Sequence, residues 1–287
     1  MNSSNDLTRR SVLASIAGVS AAVSLPRWAM AADAPPKDPV LFKAGNYFYL
    51  SGGPTAPFSG GVAPEDGYYL TRVRLKGTPV LAEGLKRAVE WMKSQKRPLS
   101  ALAACELRSA TPLGRAEFAA SNDEYNALLR AHGFGSDSER PIARSNMALS
   151  YQPPSEKCLY AFTYTTPIEK GMAKKSGDFV ISGSTPRPPK PDAAPAMMMS
   201  EDPAATLKGK TASTLDVLRE KVVQLGCKWE DINGAQIYTT LTLDAAIEVL
   251  NAQGLGHVGL DLFPGHPPGA AQDFEMDIRA ISVEREI

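Results

Sequence analysis

The chain has 287 residues with 31 basic and 31 acidic side chains, so its formal net charge is zero. That balance excludes the basic excess of a dedicated nucleic-acid binder. Three cysteines (Cys105, Cys158, Cys227) exclude a disulfide scaffold, and 43% apolar with 22% charged residues is globular composition, long enough for one large domain or two smaller ones.

Residues 1–31 read as an export segment and are set aside before fold reasoning. Thr8-Arg9-Arg10-Ser11-Val12-Leu13 is a paired-arginine start, an apolar stretch runs from Val12 to Leu25, and Ala29-Met30-Ala31 supplies small residues for a signal peptidase. The pattern resembles a twin-arginine (Tat) signal peptide. The apolar stretch is short of the roughly 20 residues of a membrane span; an uncleaved anchoring helix is the other reading. Cleavage after Ala31 would leave 256 residues with 28 basic and 30 acidic side chains, a net charge of −2. The mature chain is then expected in the periplasm or otherwise exported, free of the membrane.

The first strand is expected at Tyr47–Ser51 from its β-branched and aromatic content. Alternation predicts a second at Tyr68–Leu75. Thr78-Pro79 should open a helix, Thr as N-cap and Pro in the first turn, with Leu81, Leu85, Ala88 and Met92 as its apolar stripe. A strand at Cys105–Arg108, a helix at Glu117–Ala131 and a strand pair at Ser145–Tyr151 and Leu159–Thr165 follow. The order then recurs: a strand at Phe179–Ser182, a helix marked by Leu215, Leu218, Val222 and Leu225, a strand at Ala235–Thr240, a helix at Asp244–Asn251, and strands at Val258–Phe263 and Phe274–Val283. The Pro-rich insert 186–203, with Met197-Met198-Met199, should be irregular.

Self-comparison supports a duplication. Asn46–Gly52 (NYFYLSG) matches Gly177–Gly183 (GDFVISG) at an offset of 131, and Leu99–Thr111 matches Trp229–Leu241 at an offset of 130, with Leu107 against Ile237. Two matches in one order imply tandem domains, 32–165 and 166–287. Each is expected to be α+β, a mixed sheet with two helices on one face.

These segments, with FAASNDEYNALLRAHG, PIARSNMAL and the terminal FEMDIRAISV, resemble the RidA (YjgF) family over nearly the whole mature chain. The resemblance implies two tandem RidA-like (chorismate-mutase-like) domains and a homo-oligomer, a trimer in the family's usual form, with ligand sites between neighbours. It implies hydrolysis of small reactive 2-imino or enamino acids to 2-keto acids and ammonia, with no cofactor. That chemistry needs a carboxylate clamp, which an Arg fork provides, and a carboxylate to orient water or relay a proton.

Carried over by residue, the family's Pro-Ala-Arg-Ser motif falls on Ile142-Ala143-Arg144-Ser145, making Arg144 the candidate clamp, with Ser145 and Asn146 beside it. Ser51 and Gly52 match ligand-lining positions. The family's terminal catalytic Glu matches Asp277, and Arg279 replaces a second Glu. The first repeat lacks the acid; in the second, Gly256-His257-Val258 stands in place of the clamp. The resemblance thus implies a site split between repeats, Arg144 from one and Asp277 from the other. Decay to anion binding is the competing reading.

Other constellations are weaker. His257 and His266 flank Asp261 without a metal-ligand spacing, and the methionine triplet reads as groove cover rather than a copper site. Cys105 and Cys227 read as core thiols, and the Gly-rich stretch Ser51–Gly61 lacks the Lys-Ser/Thr sequel of a phosphate loop. No metal is expected. The leading reading is an imine or enamine deaminase acting on a small carboxylate. A non-catalytic carboxylate-binding protein, a partner subunit of an exported enzyme and a chorismatase-like hydrolase stay open.

Overall fold

Alternating segments form strands and 3.6-period segments form helices in an order that recurs along the chain. The computed structural model describes residues 38–52, 56–135, 139–169, 177–187, 203–241 and 243–287, so the export segment and Met197–Met199 lie outside the described residues. In chain order the elements are β1 (Val40–Phe42), β2 (Tyr47–Tyr49), β3 (Gly61–Pro64), β4 (Tyr68–Arg74), α1 (Leu81–Ser94), β5 (Leu102–Ser109), α2 (Arg115–Ala131), β6 (Ala143–Leu149) and β7 (Cys158–Pro167). There follow β8 (Phe179–Ser184), α3 (Pro203–Gln224), β9 (Gly234–Thr239), α4 (Asp244–Ala252), β10 (Gly259–His266), β11 (Phe274–Ala280) and β12 (Val283–Glu286). The architecture is mixed α+β.

The strands form a 12-stranded sheet in the order β1-β2-β3-β8-β11-β9-β10-β6-β5-β7-β4-β12. Within it β4-β7-β5-β6 and β8-β11-β9-β10 share one pattern: an antiparallel pair, a second antiparallel pair, then a parallel pair. The outer edge of each four-strand group is capped by a strand from the other half of the chain. β3 pairs with β8, and β12 pairs with β4. This covers edges that would otherwise offer unpaired backbone groups.

Each group has two helices on one face. Leu81, Leu85, Ala88 and Met92 of α1 pack with Tyr125 and Leu129 of α2 and with Cys105, Leu107 and Phe162. Leu207, Leu215, Leu218 and Val222 of α3 pack with Ala246 and Leu250 of α4 and with Ile237, Met276 and Ile278. The strand residues between these, of opposite pleat, point away from the helices. They meet in an interior where Tyr47, Val62, Leu70, Ala104 and Ile281 cluster beside a layer of charged side chains.

Several boundaries depart from the sequence expectation for local reasons. Thr78 is not an N-cap: Gly77 and Thr78 both have positive φ, 79° and 44°. They turn the chain so that Pro79 and Val80 run extended along the start of β7. There the Leu159 N–H donates to the Pro79 carbonyl at 3.0 Å and the Leu81 N–H to the Lys157 carbonyl at 2.8 Å. The helix therefore begins at Leu81. The expected strand Phe274–Val283 divides in two. Asn233 takes both backbone groups of Ile281, at 2.9 and 3.0 Å, and the chain crosses there from β11 to β4. β10 runs past Phe263 because Gly265 and His266 pair with Leu149 and Ala148. The insert expected to stay irregular to Pro203 gives way to α3 at that residue. β1 and β3 were not anticipated, since VLF is short and GVAP reads as turn composition.

The C-terminal strap is an interlock. Ile287 accepts from the Lys76 N–H at 2.8 Å and from Arg87 Nη2 at 3.1 Å, while its own N–H donates to the Arg74 carbonyl at 3.0 Å. Deleting Val283–Ile287 should cost about 3 kcal/mol, since several buried or half-buried backbone bonds are lost at about 1 kcal/mol each. Urea denaturation checks this. A midpoint equal to that of the full chain would show that β12 does not hold the halves together.

Candidate active site

The strand groups carry two clusters of buried ionisable side chains. The first gathers around Arg144. This residue lies on β6 opposite Cys105 of β5, and in a parallel pair both face the same side, here toward α2. Its guanidinium is buried. Nη1 donates to Asn122 Oδ1 at 2.6 Å, and the group lies over the rings of Phe58 (4.1 Å) and Tyr125 (5.2 Å). Nε has no hydrogen-bond partner. Burial lowers the Arg144 pKa, while the charges of Tyr125 and Glu275 act to raise it. The Arg144 N–H donates to Ser182 Oγ of β8 at 3.0 Å, so the clamp sits where β6 of one half meets β8 of the other.

Glu275 lies on β11 on the face away from the helices. Tyr238 Oη of β9 donates to its Oε1 at 3.1 Å. Burial pushes its pKa up to about 8, against the opposing pull of the Tyr238 bond and the Arg144 and Lys221 charges, so the carboxyl holds its proton near neutrality. Lys221 of α3 reaches toward it, and its Nζ donates to Ser184 Oγ at 2.9 Å. Burial lowers the Lys221 pKa to about 8. Gly183 leaves room for this group: a Cβ there would run into Glu275 Oε1 and Tyr238 Oη.

The second cluster surrounds Asp277, two residues on and on the same face of β11 as Glu275. Gln236 Nε2 lies 3.4 Å from Asp277 Oδ1 and 2.9 Å from Glu106 Oε2, while Arg108 Nη2 donates to Gln236 Oε1 at 3.0 Å. Arg72 Nε and Nη2 grip Glu106 at 2.5 and 2.9 Å. Burial would raise the Glu106 pKa, but the adjacent Arg72 charge and its bonds hold it well below the usual carboxylate range. Asp277 has no such partner. Its Oδ2 is unbonded, and burial with the Glu106 charge pushes its pKa up to about 7.

The residues singled out in the sequence are therefore distributed. Arg144 and Asn146 share a face of β6, with Ser109 Oγ 2.9 Å from Asn146 Oδ1. Ser145 points the other way, paired in register with Glu106. Ser51 and Gly52 are exposed in the connection after β2. No hydrogen bond or ion pair among the described residues joins Arg144 to Asp277. The carboxylate whose charge acts on Arg144 is Glu275. The second-half counterpart of Arg144 also shifts. At the offset of 130 Cys105 corresponds to Ala235, which pairs with Leu260, so Leu260 rather than Gly256–Val258 holds the clamp position.

Sequence reasoning missed Glu275, Tyr238 and Lys221. The period of FEMDIRA placed Glu275 on the face of Asp277, a signal that was there to use. Lys221 carried none, lying on a helix recognised only by its leucines. All three cysteines are free, and burial pushes the Cys105 thiol up to about 12, as suits a core residue. Among the described residues no group of three His, Cys, Asp or Glu is arranged to hold a metal, His257 and His266 included.

A family model, 2-aminomuconate deaminase CnbZ, matches residues 39–285. The chain belongs to this family. It is a deaminase acting on the C–N bond of a small enamino or imino acid. A curated relative, the 2-amino-5-chloromuconate deaminase of Comamonas testosteroni, is 28% identical over 243 residues, covering 84% of this chain and 96% of that one. Among solved structures a chorismatase matches at 10% identity over 85% of this chain and 80% of its own, with a TM-score of 0.44. The YjgF gene product of E. coli matches at 19% identity over 41% of this chain and 93% of its own, with a TM-score of 0.28.

The Asp277 environment makes a pH prediction. Between about pH 4 and 7 an unfolded chain releases this proton while the native chain keeps it, so stability from this group is present at low pH and lost as pH rises through 7. Asp277→Asn removes that loss. Thermal melts should show the variant's advantage over the parent chain growing from pH 4 to pH 7 and levelling off above, larger by several degrees at pH 8.5 than at pH 4. A difference that does not change with pH would contradict the raised pKa.

Proposed function

We propose that the chain hydrolyses a 2-amino-2-enoic dicarboxylate of the 2-aminomuconate type to the corresponding 2-oxo acid and ammonia, at the junction of β6 with β8 and β11. The observation that carries this is a buried carboxyl, Glu275, hydrogen-bonded by Tyr238 and within electrostatic reach of a buried Arg144. The order of steps follows from the substrate's chemistry. An enamine is hydrolysed by protonation at carbon to an iminium, addition of water to the C=N carbon, and loss of ammonia from the carbinolamine. The first step needs an acid, the second a base. Glu275 can supply both, giving its proton to carbon and then, as carboxylate, taking one from the attacking water. Tyr238, donating to Oε1, stabilises the carboxylate form between those steps.

Arg144 is the proposed clamp on the carboxylate next to the reacting carbon. Its partnerless Nε is available to a substrate oxygen, and Asn122 and the Phe58 and Tyr125 rings fix its plane. Lys221, bonded to Ser184 of β8, is proposed to meet the distal carboxylate. Asp277 lies among Arg108, Arg279 and Glu106, so Glu275 takes the proton-transfer role that the family resemblance gave to Asp277. Ser145 and Asn146 support the clamp strand, and Ser51 and Gly52 belong to the loop beside Phe58. No step calls for a cofactor.

The repeated strand pattern supports the reading of two tandem RidA-like domains, 32–165 and 166–287, after duplication. Residues 1–31 are proposed as a Tat signal and the mature protein as an exported homo-oligomer; no helix among the described residues is long and apolar enough to cross a membrane.

Ammonia release from 2-aminomuconate by the purified chain tests the reaction. Glu275→Gln should lower kcat by roughly a hundredfold or more, the usual contribution of a positioned acid–base group. Arg144→Ala should lower kcat/KM by about a hundredfold, the loss of a charge-assisted bond pair. Asp277→Asn should change either by less than about tenfold. The rate should fall above about pH 8, where Glu275 loses its proton. A Glu275→Gln enzyme with full activity would move the chemistry elsewhere.

A further inference from the structure

A second site stands apart from the Glu275 cluster. A cavity of about 790 Å³ opens where β10 and β11 of one half face β4, β7 and β12, lined among others by Arg72, Tyr160, Leu260, Asp261, Arg279 and Glu284. That is within the size range of small-molecule sites.

Its cations are not equally committed. Arg72 is spent on Glu106, and Arg74 pairs with Glu286. Arg279 is different. Its residue is 7% exposed, and neither Nε nor Nη1 has a hydrogen-bond partner. Its acidic neighbours are long contacts, Asp261 to Nη2 and Glu284 to Nε, both at 3.5 Å, and those carboxylates are half exposed at 49% and 52%. A buried guanidinium normally has its donors filled, because an unmet buried donor is costly. The backbone also makes room for this one. Gly234 of β9 lies against the guanidinium, and a Cβ there would come within 2.8 Å of Cζ.

We infer that this cavity is a second ligand site, which binds a small organic carboxylate through Arg279 and is separate from the Arg144–Glu275 site. The carboxylate meets the unfilled donors and displaces the weak contacts to Asp261 and Glu284. Leu260 and Tyr160 offer apolar surface to its carbon chain. Leu260 stands where the first half has Arg144, so the ligand's charge is read by Arg279 on β11 rather than by a clamp on β10. The inference concerns binding alone and does not depend on the deaminase mechanism.

The probe is cis,cis-muconate, a six-carbon dicarboxylate without an amine to lose. Calorimetric titration of the full chain should give two sites. Arg144→Ala should keep one and Arg279→Gln should keep the other. Within the Arg144→Ala chain, Arg279→Gln should weaken the remaining site at least tenfold. Asp261→Asn and Glu284→Gln remove exposed competitors, the second also a long contact to Arg72, and each should tighten it severalfold. An Arg144→Ala chain that binds no muconate would overturn the inference, as would Arg279→Gln with undiminished stoichiometry and affinity. If Arg279→Gln fails to fold, as circular dichroism will show, unchanged affinity in both carboxylate variants overturns it instead. Ammonia release is not the readout, so loss of the second site and loss of the deaminase reading are distinguishable.

Discussion

The fold depends on charges buried between its two halves. Arg108 is among the largest fully buried side chains, its guanidinium over the rings of Tyr160 at 4.0 Å and Phe263 at 4.7 Å, which meet edge to face. Removing a guanidinium from water costs several kcal/mol unless its donors are met. Here Nη1 donates to the Leu107 carbonyl, Nη2 to Gln236, and Gln236 passes the contact on to Glu106, which Arg72 grips from the other side. Gln236 belongs to the second half of the chain and the other three to the first. The halves cannot part or slide by a residue without exposing or orphaning a charge, so the layer fixes their register as an apolar interface would not.

The exchanged strands follow from the same constraint. If the halves only abutted, the outer edges at β4 and β8 would be open backbone next to a charged interior. Capping each edge with a strand from the opposite half closes the edge and ties the register of the charged layer to backbone pairing. Asn233 shows how local the device is. One side chain holds both backbone groups of Ile281 and turns the chain out of β11 toward β4.

Much of this was legible in the sequence. The apolar stripes placed α1 and α3, and the self-comparison matched the sequence of β5 to that of β9. What was not legible depended on partners distant in the chain. Gly61–Pro64 is a strand only because β8 and β2 lie beside it, and Thr78 leaves the helix only because β7 captures Pro79 and Val80. The site divides the same way. Arg144 was recognisable from its motif, but choosing between Glu275 and Asp277 required knowing which one had Tyr238 and Lys221 beside it and which had Arg108 and Glu106. Two carboxyls on one face of one strand look alike in sequence; burial raises the pKa of both, and only the side chains beside them tell them apart.

Pairing two unlike halves, rather than identical ones, has a chemical consequence. Identical halves would present the same groups at both junctions, so a buried acid tuned for proton transfer at one would recur at the other with the same desolvation cost. Here the junctions differ. Where β6 meets β8, the Arg144 charge acts on Glu275, whose pKa burial raises. β10 with β4 and β7 has Leu260 in the place of Arg144 and an open cavity beside Arg279. Desolvation raises the pKa of both buried acids of β11, and they differ in their neighbours: Tyr238 and Lys221 beside Glu275, Glu106 and Arg108 beside Asp277. The other junction is left free to carry the ion pairs that hold the halves in register.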